Sequence, residues 1–352
     1  MSGADATVLV RSDQGVGRLT LNRPRALNAV DIDMVGRLAA ALDAWERDAD
    51  VEVVLLDGAG ERGFCAGGDV RLLREQAMSS DAERTADFFL AEYALNARLA
   101  EYPKPVVTIA DGITMGGGVG LASHAGHRVV TERSQVAMPE TRIGFTPDVG
   151  GTWLLARAPG RIGEYLALTG GTMDAADAIY AGFADHLVPA DRIEAFRDAL
   201  ETRADPQGPA ELVLLFDETP ETSRLEKARP WIDDAFAADS VSEILTRLRA
   251  HPEPDAAAAA ELIGSLSPTA LTVTLEAVRR ARRKRSLREV LEQEYGLVMW
   301  FALTQPDLVE GIRAQLVDKD RSPRWQPASL DELDPEIVDQ AFAFRPPRAL
   351  WG

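Results

Sequence analysis

The chain has 352 residues, 46% of them apolar, and 38 Lys and Arg against 56 Asp and Glu give it a net charge of −18. That length can bury one large core or two modest ones, and the acidic balance speaks against general binding to nucleic acid or an anionic membrane. One cysteine excludes a disulfide framework and a cysteine-rich zinc site. The first thirteen residues lack a basic region followed by an apolar one, and no apolar run nears the roughly 20 residues of a membrane helix, so a cytoplasmic location is expected.

Residues 7–11 and 16–21 read as strands joined by Ser12-Asp13-Gln14-Gly15, and Asn22-Arg23-Pro24 stops the second. Val35, Leu38, Leu42 and Trp45 then recur at helical spacing, with Asp31 or Asp33 able to cap. Residues 51–56 (VEVVLL) form the continuous apolar run of a strand covered on both faces. A loop over 58–69 ends in Phe64-Cys65-Ala66-Gly67-Gly68-Asp69, and helices are predicted at about 70–78 and 83–100 before a strand at 106–109. Repeated β-then-α order implies a layered α/β fold with right-handed crossovers.

Past Gly151 the pattern turns helical through Leu154, Ala158, Ile162, Tyr165 and Leu166. Pro206-Gln207-Gly208-Pro209 marks a boundary, and residues 219–255 are acidic and predicted as a peripheral helical insertion. Ser267-Pro268 supplies a cap and a first-position proline for a helix to about 285. Ser286 with Glu289 is a capping box for another, whose Leu287, Val290, Leu291, Tyr295 and Val298 share a face. The final twenty residues are predicted as an ordered tail at best.

The stretch 110–151 carries the chemistry. Gly116-Gly117-Gly118 follows the strand residues Val106, Val107 and Ile109 and leads into Val119, Gly120, Leu121 and Ala122. Strand, glycine turn and buried helix present unpaired N–H groups at a helix start, which favours negative charge. A phosphate, a carboxylate or the oxyanion of an acyl transfer all satisfy that condition. Two carboxylates follow, Glu140 in MPET and Asp148 in PDVGG.

Four blocks in order, LNRPRALNAV (21–30), GFCAGGDV (63–70), DGITMGGGVGL (111–121) and MPETRIGFTPDVGGT (138–152), resemble the crotonase (enoyl-CoA hydratase/isomerase) superfamily. Within it, AEYALN (91–96), ITMGGGVG, the PET…PDVGG pair and EGIRAQLVDKDRSPRWQP (310–327) are most similar to the 3-hydroxyisobutyryl-CoA hydrolases. The resemblance implies a crotonase-type spiral of repeated ββα units over 1–205, followed over 206–352 by an α-helical insertion, a C-terminal helical lid and a tail. It implies an acyl-CoA substrate, no metal or other cofactor beyond the coenzyme A of the substrate, and possible homo-oligomers.

The resemblance places the two oxyanion donors on the N–H groups of Gly68 and Gly117. Elementary chemistry agrees, because a glycine lets backbone approach a ligand with no Cβ in the way. Glu140 can attack the thioester directly or deprotonate a water, and Asp148 can orient that water or protonate the departing thiolate. The family also implies that Glu92 lies near the acyl group, that Asp69 contributes to substrate binding, and that Arg25, Ala26 and Leu27 border the adenine end of coenzyme A. On sequence alone Glu92 reads as a solvated helix residue. Arg23 and Arg25 can meet phosphate oxygens.

Hydratases of this type carry a first catalytic glutamate where this chain has Gly120, which has no acid or base function, so hydration across a double bond is disfavoured. Cys65 has no histidine in evident reach to activate it and reads as a packing residue. His124 and His127 suggest no third metal ligand. The basic run Arg279, Arg280, Arg282, Arg283, Lys284, Arg285 reads first as a solvated helix end complementing the dipole, and second as a steering patch for coenzyme A phosphates.

Overall fold

The computed structural model describes residues 6–79, 81–202 and 208–351. The division expected between 205 and 206 lies outside them. Two compact units emerge, each built from three separate stretches: 6–68, 94–136 and 173–223 in the first, and 69–93, 137–172 and 224–351 in the second.

The first unit holds most of the strands. They are β1 (Val8–Asp13), β2 (Gly15–Leu21), β3 (Val51–Gly58), β4 (Gly63–Cys65), β5 (Val106–Ala110), β6 (Ile113–Met115), β7 (His127–Val130), β8 (Gln135–Ala137) and β9 (His186–Leu187). β1-β2-β3-β5-β7-β9 form one sheet and β4-β6-β8 a second. β1 pairs antiparallel with β2, while β2–β3, β3–β5, β5–β7 and β7–β9 are all parallel. The VEVVLL run is central, which explains its apolar character on both faces. Val53, Leu55, Val107, Ile109 and Val129 meet Ile193, Phe196, Leu200, Leu212 and Val213 from the two helices Ile193–Glu201 and Pro209–Phe216. Asp31 caps the helix Ile32–Glu46 by accepting from the Met34 N–H at 2.9 Å, as expected.

Five strands, β4, β6, β7, β8 and β9, of two to four residues each, escaped the sequence reading. β4, β6 and β8 have three residues each, too few to show a period of two. They matter most for the chemistry, because β4 and β6 lead into the two glycine turns.

The second unit is helical. Residues 219–255, expected to be peripheral, instead contribute Leu225, Trp231, Ile232, Phe236, Ile244 and Leu248 to the unit's core. Tyr165 of the helix Ile162–Thr169 sets its ring edge-on to Trp231 and Phe236, with centroids 5.6 and 5.7 Å away. Ser286 caps the helix Leu287–Thr304 through the Glu289 N–H at 3.2 Å, but Glu289 reaches back to the Arg285 N–H, so the capping box closes one residue early. The last twenty residues contain a helix, Ile337–Ala343, and Arg280 stacks on Phe342. Among the described residues no single helix is long and apolar enough to cross a membrane; Pro254–Gly264 and Pro268–Ala281 reach that measure only as a pair bent by 117°.

Candidate active site

The two expected donors, Gly68 and Gly117, lie in the first unit. Gly67 adopts φ 101° and Gly116 φ 49°, conformations that L side chains rarely take, and each turn reverses just before the expected donor. The two turns are pressed together: a Cβ built on Gly67 would stand 2.9 Å from the Met115 carbonyl and 3.3 Å from the Gly117 nitrogen. Gly117 opens the helix Gly117–Ala122 with Gly116 as its cap, so its N–H has no acceptor one turn earlier. Gly68 pairs through a parallel bridge with Val30, in which the Val30 N–H donates to the Gly67 carbonyl at 2.8 Å. The geometry brings Gly68 and Gly117 into one neighbourhood as two backbone donors.

The same neighbourhood reaches the 23–30 loop. Asn28 is buried and donates to the carbonyls of Ala59, Gly63 and Phe64 at 3.0–3.1 Å, while the Ala66 N–H donates to Leu27 at 2.9 Å. Leu27 and Asn28 both sit at positive φ, 52° and 54°. Arg25 and Ala26 are exposed; the Arg25 and Pro24 carbonyls accept from Arg62. Arg23 pairs with Asp31 at 3.2 Å. Cys65 is buried in β4, and its sulfur accepts from the Gly67 N–H at 3.4 Å, so it braces the turn.

The carboxylates lie in the second unit. Glu140 opens the 3-10 turn Glu140–Ile143 and is only 7% exposed; its Oε2 is buried with no hydrogen-bond partner. Burial first and the Asp148 charge second hold it well above the ordinary carboxylate range. Asp148, also 7% exposed, accepts from the Tyr93 hydroxyl at 2.9 Å. Burial raises it to about 7 against the pull of that bond and of its own backbone N–H. Glu92 is 3% exposed, which corrects its reading as a solvated residue, and burial with the Asp148 charge holds it well above its usual range. Asp69 precedes the helix Val70–Ser79, and its carbonyl accepts from the Leu73 N–H at 3.1 Å.

Two members of the cluster were not legible beforehand. Tyr93 is wholly buried, and Glu294, with 0% exposure, accepts from the Gly150 N–H (2.6 Å), the Thr152 N–H (2.8 Å) and the Thr152 hydroxyl (2.6 Å). Burial lifts Glu294 to about 8. The available signal was its position, four residues after Val290 and three after Leu291, inside an otherwise apolar stripe.

The basic run does structural service. Arg279 donates to the carbonyls of Phe236, Ala238 and Asp239, and Arg282 to those of Ala156 and Gly160 and to Glu164. These bonds satisfy carbonyls at the ends of neighbouring helices. His124 is buried, and among the described residues no three His, Cys, Asp or Glu side chains group as metal ligands.

Tyr93→Phe removes the one side-chain donor that lowers Asp148. The first deprotonation of the acid cluster then moves above pH 7, and the acidic limb of the pH–rate profile shifts to higher pH; an unmoved limb overturns the assignment.

The parallel sheet, its paired glycine turns and the buried carboxylates define an α/β protein of crotonase type. The chain belongs to the enoyl-CoA hydratase/isomerase family, whose model matches residues 16–342. Two proteins named mitochondrial 3-hydroxyisobutyryl-CoA hydrolase, from Gallus gallus and Homo sapiens, are 39% and 37% identical to it, over 96% and 95% of this chain and 89% and 88% of theirs. It is also similar to a solved structure described as a carnitinyl-CoA dehydratase from Mycobacterium thermoresistibile (48% identity, TM-score 0.92, 98% of both chains covered). A structure described as an enoyl-CoA hydratase from Rhodobacter sphaeroides is 45% identical with TM-score 0.91, over 98% of this chain and 99% of that one. The expected crotonase-type fold is therefore the observed one.

Proposed function

We propose that this protein hydrolyses the thioester of 3-hydroxyisobutyryl-CoA, or of a similar short branched 3-hydroxyacyl-CoA, to the free acid and coenzyme A, a step of valine breakdown. The observation that carries this reading is Glu140, buried with an unpartnered oxygen beside Asp148, in a chain whose Gly120 offers no second catalytic glutamate. The relatives named as hydrolases support it over nearly the whole chain. The names of the two solved structures point instead to hydration or dehydration, and Gly120 argues against that chemistry here.

In this mechanism the carbonyl oxygen of the thioester accepts from the N–H groups of Gly68 and Gly117 as it becomes an oxyanion. Crowded carboxyls cannot all ionise, so the Glu140–Asp148 pair works as a singly ionised unit. Glu140 either attacks the carbonyl carbon itself, giving an anhydride that water then opens to the free acid, or takes a proton from the water that attacks that carbon. The C–S bond breaks, and the leaving thiolate takes the one proton that the pair holds, delivered by Asp148. Glu92 accepts from the substrate hydroxyl. Arg25, Ala26 and Leu27 border the adenine, and Asp69 assists substrate binding. A cytoplasmic location is part of this proposal, while the named relatives are mitochondrial.

Thiol release across a panel of acyl-CoAs tests the reading. The expected result is fastest release from 3-hydroxyisobutyryl-CoA and no loss of the crotonyl-CoA double-bond absorbance. Consumption of crotonyl-CoA without thiol release would make the protein a hydratase. Labelled oxygen appearing in Glu140 after a single turnover in labelled water marks direct attack.

A further inference from the structure

We infer that Glu294 is a positioning residue, which holds the Asp148–Thr152 turn in a strained shape and thereby aims the Asp148 carboxyl. This inference rests on the hydrolase reading for its kinetic consequences but on geometry for its substance.

The turn is improbable left to itself. Val149 has φ 51°, a left-handed conformation that a β-branched side chain adopts only under constraint, and Gly150 follows at φ 79°. Two successive left-handed residues swing the chain from Asp148 into the helix Gly151–Arg157, and the Asp148 carbonyl accepts from the Gly151 N–H at 2.6 Å. Backbone strain of this kind persists only where neighbouring contacts over-determine it. Glu294 supplies them: one carboxylate oxygen takes the Gly150 N–H, and the other takes both the N–H and the hydroxyl of Thr152. The grip therefore holds the turn at Gly150 and Thr152, while Tyr93 fixes the Asp148 side chain from the helix Ala82–Glu101.

Glu294 is an expensive choice for a mere helix cap. A helix start is usually capped locally, by a Ser, Thr, Asp or Asn side chain just before it. Here a carboxyl is drawn from a helix almost 150 residues downstream, into full burial beside three other acids, Glu92, Glu140 and Asp148. Such an arrangement makes sense where the geometry of the turn matters to the reaction.

The test uses the full chain. In Glu294→Gln the amide oxygen can keep Thr152, but its NH2 meets the Gly150 N–H donor to donor, so the turn is released without a change of side-chain volume. The expected kcat falls by about tenfold to hundredfold with KM within about threefold, because a displacement near 1 Å at a reacting group is enough for that loss. Thr152→Val loses the hydroxyl bond alone and falls less, and Thr152→Ser keeps both donors and stays near the parent rate. A crystal structure of Glu294→Gln is expected to show Val149 back at negative φ and the Tyr93–Asp148 bond of 2.9 Å broken. A folded Glu294→Gln with unchanged kcat, or with its whole loss in KM, overturns the inference, as does a turn that superimposes on the parent. If Glu294→Gln does not fold, the Thr152 pair decides by the same kinetic split. Should the parent release no thiol from any acyl-CoA, the hydrolase reading fails while the crystallographic comparison still judges this one.

Discussion

Glu140→Gln is expected to lower kcat for thiol release by about 10³-fold while raising the melting temperature at neutral pH. The rate loss follows from removing the group that attacks or deprotonates, an effect typically worth about 10² to 10⁴. The gain in stability follows from linkage. Glu140 is raised well above its ordinary value by burial and by Asp148, so the stability associated with its proton is complete below about pH 4.5 and declines as pH climbs through the folded-state value. Glutamine never ionises and escapes that decline. The variant should therefore match the parent near pH 4 and exceed it progressively toward pH 8, read by thermal melts across that range. Activity of parental magnitude in the variant would remove Glu140 from the chemistry altogether.

Gly118→Ala is expected to lower kcat by about 10² to 10³, the loss typical of one displaced oxyanion donor. Gly118 lies in the helix Gly117–Ala122, where alanine suits the backbone, so only space is at issue. A methyl there would run into the carbonyl oxygen of Cys65 and stand 3.0 Å from its Cβ, forcing the two glycine turns apart and carrying the Gly117 N–H with them. Gly36→Ala is the control: a Cβ at that helical position has nothing within 4 Å, and the exchange should leave rate unchanged and stability equal or slightly better. Parental kcat in Gly118→Ala, with the protein folded, would mean that Gly117 holds no developing charge.

Much of this could be read before any coordinates. The central strand at VEVVLL, the Asp31 cap, the glycine turns and the Glu140–Asp148 pair all rest on local signals: an unbroken apolar run, a short polar residue before helical spacing, glycines between strand and helix. What escaped depended on distant contacts. Glu92 read as a surface residue because glutamate in a helix usually is one, although it sits three residues after Phe89 and four before Asn96, both buried. Tyr93 and Glu294 are separated from the turn they serve by 55 and 144 residues along the chain. The arginines near 280 read as a helix end because the carbonyls they satisfy belong to helices far away in sequence.

All four family blocks end by residue 152, so a gene fragment trimmed to them would still encode Gly68, Gly117, Glu140 and Asp148. It would omit Glu294 and the helix that carries it, leaving the Gly150 and Thr152 amides without their acceptor. A minimal version of this enzyme therefore extends beyond those four blocks: Glu294, carried by the helix Leu287–Thr304, is as much a component of the acid cluster as Glu140 and Asp148.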